Sequence, residues 1–310
     1  MQVIKDEQIQ SLGIAPAICV DWIQESFAIK EHAQLPAKMS VHPQGNDFIT
    51  TMPCLLPKDY GVFGVKIVSR MNGKHPALGS TLMLFNASNG ELITLMDANW
   101  ITSMRTGAVA ALAINTLAIK DFVELAFIGL GNTAYATLQC LLETNSLRHL
   151  HIRLMRYKDH AEKCIEHFKY YQNVTFSIVD SMVELVQGSQ VIVSCITDAT
   201  GFLVQDIDLF APGCLVVPVH TRGFQNCDTV FDKVFADDTN HVKGFKYFEQ
   251  FKSYGELSDV LSGKIAGRTS ATERILSYNI GLGLHDVLFA HKIYNLLNGG
   301  APIDHNLLRQ

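Results

Sequence analysis

With 310 residues, 48% of them hydrophobic and 18% charged, the chain is long enough for two domains with cores of their own, and its composition excludes a dominantly disordered protein. A formal net charge of -5 and the lack of any run of five like charges remove a general attraction to phosphate backbones or anionic lipid, so small-molecule chemistry is expected, with no nucleic-acid or membrane partner. The opening "MQVIKDEQIQSLGI" has no long apolar region of a signal peptide, and the seven cysteines (19, 54, 140, 164, 195, 214 and 227) show neither a CxxC pair nor zinc-ligand spacing, which predicts a cytoplasmic protein with reduced, packing cysteines and no metal.

In chain order, "APAICVDWIQESFAIKEHAQ" predicts a helix, and "FITTMPCLLP", "YGVFGVKIVSRM" and "STLMLFNASNGELITLMD" predict strands, the last a hairpin turning at Asn89-Gly90. Residues 99 to 118, "NWITSMRTGAVAALAINTLA", are Ala-rich with apolar side chains at helical spacing and form a helix leading into a second domain. From residue 122 short apolar runs ("FVELAFIGLG", "LRHLHIRLM", "VTFSIVD", "VIVSCIT", "CLVVPV") alternate with helices near 133–143, 159–170 and 181–187, which specifies a parallel, doubly wound sheet. The segment "ATERILSYNIGLGLHDVLFAHKIYNLLNG" reads as a long apolar helix interrupted at Gly281 and Gly283, returning to the first domain. The expected class is therefore α/β: a Rossmann-type domain over 119–284, and a discontinuous α+β substrate-binding and dimerisation domain over 1–118 completed by about 285–310.

Gly129, Gly131 and Ala134 stand in a GxGxxA pattern directly after an apolar strand and at the start of a helix. The first glycine permits the turn, the second lets backbone approach a pyrophosphate, the alanine allows close packing, and the helix N-terminus attracts the anion. Asn132, Thr133, Thr197 and Val219 are assigned with them as cofactor contacts. At the end of the second strand, where an acidic residue would bond a ribose 2′-hydroxyl, the chain reads "IRLMRYKDH". Met155 holds the acidic position, and Arg156 can stack or pair on a 2′-phosphate, so NADP(H) is favoured with NAD(H) as the alternative.

Taken together, "GVKIVS", "MRTGAVAALA", "IGLGNTA", "GKIAGRTS" and "GLGLHD" resemble the ornithine cyclodeaminase/mu-crystallin family, in order from about residue 36 onward. The resemblance implies a homodimer, a Rossmann domain between two segments of a substrate domain, and a bound nicotinamide cofactor. By position it implies that Lys66 and Arg105 hold the substrate α-carboxylate, that Thr106 lies near the cofactor phosphates, and that Lys38 supplies a third cation. Their chemistry agrees: a guanidinium clamps a carboxylate with two donors, and a buried lysine can relay a proton.

Cyclodeaminases of that family carry an aspartate just beyond a late Rossmann strand; aligned through "APGCLVVPV", that position in "VVPVHTRGFQNCD" falls on Arg222, which cannot act as a general base. Ketimine-reducing members such as mu-crystallin also lack the aspartate and also prefer NADPH. In this stretch His220 is a candidate acid/base, a substrate ligand or a polar cleft residue; Arg222 either holds a second acidic group or pairs with Asp228 or Asp232; Asp228 starts a helix or faces solvent. "FADDTNH" reads as a solvated turn rather than a metal site, and "GFKYFEQFKSYGEL" as a cap or lid. The expected activity is hydride transfer at the α-carbon of an imino or amino acid, with Arg105 and the cations Lys38 and Arg222 on the substrate and Lys66 or His220 moving the proton. The alternatives are ammonia loss from ornithine with recycled NAD, and a cofactor-bound binding protein.

Overall fold

The computed structural model describes residues 1–74 and 78–299. Its internal contacts divide the described residues into two units, the first made of the segment up to Arg105 with the segment from Leu282 onward, the second of residues 106–281. Residues 300–310, assigned above to the first domain, lie outside the described part.

The first unit contains β1 (Gln2–Ile4), α1 (Asp6–Gln10), α2 (Pro16–Ala28), β2 (Met39–Val41), β3 (Phe48–Leu55), β4 (Val62–Arg70), β5 (Leu78–Asn86) and β6 (Leu92–Asp97). They form a six-stranded sheet in the order β1-β6-β5-β4-β3-β2, antiparallel except for the β1–β6 pair. The hairpin turns where "NASNG" predicts, with Gly90 at φ +76. Alternation along the strands buries one face (Met52, Cys54, Gly64, Lys66, Leu82, Leu84, Met96) and leaves the other half exposed. The buried face meets α9 (Gly283–Leu297), and two glycines set how near the helix comes. A Cβ on Gly64 would lie 2.7 Å from Val287 Cγ2, and one on Gly283 would lie 3.0 Å from the Met52 carbonyl oxygen. Helix α2, opened by Pro16, buries Trp22 edge-on against Phe289 of α9 at 5.0 Å.

α3 (Asn99–Leu117) contains the boundary between the units, between Arg105 and Thr106. The second unit continues with β7 (Glu124–Ile128), α4 (Asn132–Thr144), β8 (Leu150–Met155), α5 (His160–Phe168), β9 (Val174–Val179), α6 (Met182–Val186), β10 (Val191–Ser194), β11 (Leu215–Pro218), β12 (Lys233–Ala236), α7 (Thr239–Val242), β13 (Tyr254–Glu256), α8 (Leu257–Leu261) and β14 (Ile275–Tyr278). Its eight strands run parallel in the order β13-β12-β14-β11-β10-β7-β8-β9, the doubly wound arrangement the alternating pattern predicts.

In three places the structure departs from the expectation. "ILSY" is not helical: it is β14, fully buried between β11 and β12, and the helix begins only at Gly283, after Gly281 at φ +92. "FADDTNH" is not a solvated turn: Asp237 is fully buried, accepting from the Gly281 amide, while Asp238 caps α7 by accepting from the Asn240 amide at 2.8 Å. Asp228 neither starts a helix nor faces solvent; it is fully buried and accepts from the Tyr278 hydroxyl at 2.7 Å, which gives a desolvated carboxyl a donor. The aromatic stretch after Gly244 does cap the second unit's core, with Phe245, Phe248, Phe251 and Tyr254 packed on it.

Gly107 lies where α3 crosses α4, and a Cβ there would stand 2.5 Å from the Ala136 carbonyl carbon and the Thr137 nitrogen. Gly107→Ala therefore destabilises the second unit: backbone cannot swing aside, so overpacking costs about 1–3 kcal/mol. The roughly 1 kcal/mol gained in helix propensity does not offset this. Urea denaturation should show a lower midpoint; an unchanged one would contradict the close crossing.

Candidate active site

Lys66 enters the buried face of the first unit because β4 alternates, and it sits in register between Met52 of β3 and Leu82 of β5. An ammonium in that setting needs a counter-charge, and α9 supplies Asp286 in its first turn. Lys66 Nζ donates to Asp286 Oδ1 at 2.8 Å, and Arg105 Nε donates to the same oxygen at 2.9 Å. All three side chains are buried. With Lys66 protonated the cluster carries two cations on one carboxylate, a net charge of +1. Among the described residues, Arg105 Nη1 and Asp286 Oδ2 have no hydrogen-bond partner.

The electrostatics follow from the packing. Burial and the Arg105 guanidinium pull the Lys66 ammonium down from 10.5 to about 7, against the upward pull of Asp286, and Lys38 lowers it further. Lys38 is half-buried and thus acts on the cluster through its charge. Burial, reinforced by Asp286, pushes the neighbouring Cys54 thiol up to about 12, so it stays protonated and unreactive at neutral pH. Asp286 had no role assigned from sequence; the available signal was a lone carboxylate inside the apolar run "GLGLHDVLFA".

In the second unit the carboxyl edge of the parallel sheet gathers the other candidates: Gly129 after β7, Arg156 after β8, Thr197 after β10, Val219 and His220 after β11. Gly129 has φ +83, and a Cβ on it would stand 2.6 Å from the Cys195 carbonyl carbon and the Ile196 nitrogen, so only glycine fits. Gly131 differs: nothing lies within 4 Å of where its Cβ would be, and with Asn132 it is exposed at the start of α4. Thr133 is half-buried and Ala134 is buried. Thr106 is half-buried on α3, and Thr197 is exposed.

His220 Nε2 and Ser194 Oγ share a 2.6 Å hydrogen bond across the ends of β11 and β10, beside the Val219 amide, which donates to the Ser194 carbonyl at 3.0 Å. Burial pulls His220 down to about 4, so its imidazole is neutral at physiological pH. Arg222 is exposed and lies 3.7 Å from Asp198, so of its two expected roles the pairing with Asp228 or Asp232 is not the one observed; Asp228 is fully buried. Arg156 is exposed, donating to Asp180 at 2.6 Å and to Glu162 at 2.6 Å.

The sequence matches the profile of the ornithine cyclodeaminase/mu-crystallin family over residues 3–301. The chain belongs to that family. It is 34% identical over 236 residues to the ketimine reductase mu-crystallin of Macropus fuliginosus, covering 73% of this chain and 71% of that one. It is 24% identical to a nodulation efficiency protein of Rhizobium meliloti over 94% of this chain and 93% of the relative. Among solved structures, the fold is similar to that of Thermococcus litoralis Δ1-pyrroline-2-carboxylate reductase in complex with NADH and L-proline, with a TM-score of 0.84 at 20% identity over 98% and 100% of the two chains. Among the described residues no helix is long and apolar enough to cross a membrane.

Proposed function

We propose that this family member is a reductase of α-imino acids that uses a nicotinamide dinucleotide, NADP(H) in preference to NAD(H). The observation that carries the reading is the buried Lys66–Asp286–Arg105 cluster. Because Asp286 engages Arg105 through Nε, the terminal edge of the guanidinium bearing Nη1 remains to clamp a carboxylate. Lys66, with its proton affinity pulled to about 7, holds a proton that it can give to an imine nitrogen near neutral pH. His220, neutral at that pH, fits a polar contact better than a proton donor. The similarity to relatives named for ketimine and pyrroline-carboxylate reduction supports the same chemistry.

The carboxyl edge of the second unit fits a dinucleotide: Gly131 leaves open space at the mouth of a thirteen-residue helix whose first amides point outward. Gly129, Gly131, Asn132, Thr133 and Ala134 would hold its phosphates, with Thr106, Thr197 and Val219 as further contacts. When bound, it supplies a hydride for the α-carbon. Lys38 is a further substrate cation through the charge it already exerts on Lys66, and the exposed Arg222 is a candidate for an acidic group of the substrate.

For the 2′-phosphate, Met155 brings no repelling carboxylate, and Arg156 can exchange its surface pairs with Asp180 and Glu162, each worth little in water, for a doubly charged group. Arg156→Ala should weaken NADPH binding about tenfold and leave NADH unchanged. Equal losses for both cofactors in fluorescence titrations would remove Arg156 from this role.

The half-exposed sheet face, with Phe63, Val65, Ile67, Met83, Phe85 and Leu95, supports a homodimer formed by the first unit. The cysteines, all thiols, support a cytoplasmic location. Turnover settles the reading: reduced cofactor should be consumed with cyclic or linear α-imino acids, and cofactor binding without turnover of any of them would refute it.

A further inference from the structure

One carboxylate oxygen, Asp286 Oδ1, receives both Lys66 Nζ and Arg105 Nε at 2.8 and 2.9 Å, in a pocket where none of the three side chains reaches water freely. The groups facing Lys66 are Asp286 from α9, Arg105 from α3, Lys38 from the segment before β2, and the protonated Cys54 thiol of β3 beside Asp286. His285, the neighbour of Asp286 on α9, turns instead to Ser26 of α2, with its Nδ1 at 2.6 Å from the serine oxygen.

We propose that Asp286 is a positioning residue that couples substrate binding to proton loading: it fixes Arg105 with its outer edge toward the substrate carboxylate and keeps Lys66 beside it, so that a docking carboxylate makes Lys66 take up a proton. This rests on the reading that Lys66 and Arg105 hold that carboxylate. The charge balance drives it. With Lys66 neutral, Arg105 and Asp286 cancel, so an arriving monocarboxylate adds a buried negative charge that only the half-buried, solvent-screened Lys38 opposes; a proton moving from solvent onto Nζ compensates it inside the buried cluster. No bond other than the new N–H forms, and none breaks except that of the donating buffer acid. The substrate thus brings the condition under which its own proton donor is charged, above the pH at which Lys66 is half-protonated in the free protein.

The test is calorimetric titration of the protein, saturated with NADPH, with cyclopentanecarboxylate, a ring carboxylate that cannot be reduced at a C=N bond. Heats in Tris and in HEPES near pH 8 report protons taken up per carboxylate bound. The expected uptake is more than about half a proton near pH 8 and close to none near pH 5.5, where Lys66 already holds its proton. In Lys66→Met the carboxylate still binds through Arg105 and the uptake disappears. Asp286→Asn removes the group that raises Lys66, so the pH at which kcat/KM falls moves lower by about one unit or more. Binding without uptake in the wild type, or uptake that persists in Lys66→Met, overturns the proposal and leaves the reductase reading standing. Failure to bind at any pH overturns the carboxylate site itself. The wild-type titration decides alone if Asp286→Asn does not fold.

Discussion

Lys66→Met lowers the rate of imine reduction by about a hundredfold to ten-thousandfold, the usual span for losing a positioned proton donor. Methionine fills the stem's space in the buried face, and the remaining Arg105–Asp286 pair is neutral, so the variant folds. The pH dependence identifies the lysine. In the wild type, protonated Lys66 is the reactive form for reduction, so kcat/KM falls as pH rises through about 7, and amine oxidation rises through the same region. The variant loses both limbs. Stability carries the same signature: between about 7 and 10.5 the unfolded chain holds a proton at Lys66 that the folded chain has lost, so this group's contribution to stability improves as pH rises across that window. Thermal unfolding of Lys66→Met should lack that rise. His220→Ala serves as comparison and should cost less than about tenfold. A larger loss in His220→Ala than in Lys66→Met, measured in steady state, would exchange the two roles.

Arg105→Ala removes the clamp and lowers kcat/KM by about a hundredfold, or roughly 3 kcal/mol, as expected for a charge-assisted bond in a dry site. Arg105→Lys recovers little of it, because an ammonium cannot donate to a carboxylate with a planar fork while also holding Asp286. Removing the guanidinium also relieves Lys66 of a neighbouring positive charge, so the limb of the pH profile moves upward. That shift is opposite to the one expected of Asp286→Asn. A limb that stays at the same pH in Arg105→Ala would mean that the guanidinium does not act on Lys66.

Much of the fold is legible in the chain because local and global signals agree. The turn at Gly129 needs a positive φ where the β10 loop crosses it, and the pattern places it between an apolar strand and a helix start. β14 is not legible: its four residues, Ile275 to Tyr278, flow into the apolar pattern of α9, and only pairing with β11 and β12 on either side makes them a strand. For the same reason "FADDTNH", polar in sequence, gives no hint that Asp237 is buried against the Gly281 amide, 44 residues later. At the site, the cations Lys66 and Arg105 could be picked out by residue type and motif. Their shared carboxylate could not, since Asp286 lies 220 and 181 positions away and no local rule links them. Which group holds a proton at neutral pH is likewise a matter of burial, which takes His220 from 6.5 down to about 4, out of the useful range, and helps bring Lys66 from 10.5 down to about 7, into it.

The most direct measurement of the central claim is a mass balance on a cyclic α-imino acid incubated with the protein and reduced cofactor. One cyclic amino acid formed for each reduced cofactor consumed, with no ammonia released, is the predicted result. No consumption of the imino acid, with ammonia and proline formed from ornithine in a parallel incubation without net change in the cofactor, would contradict it.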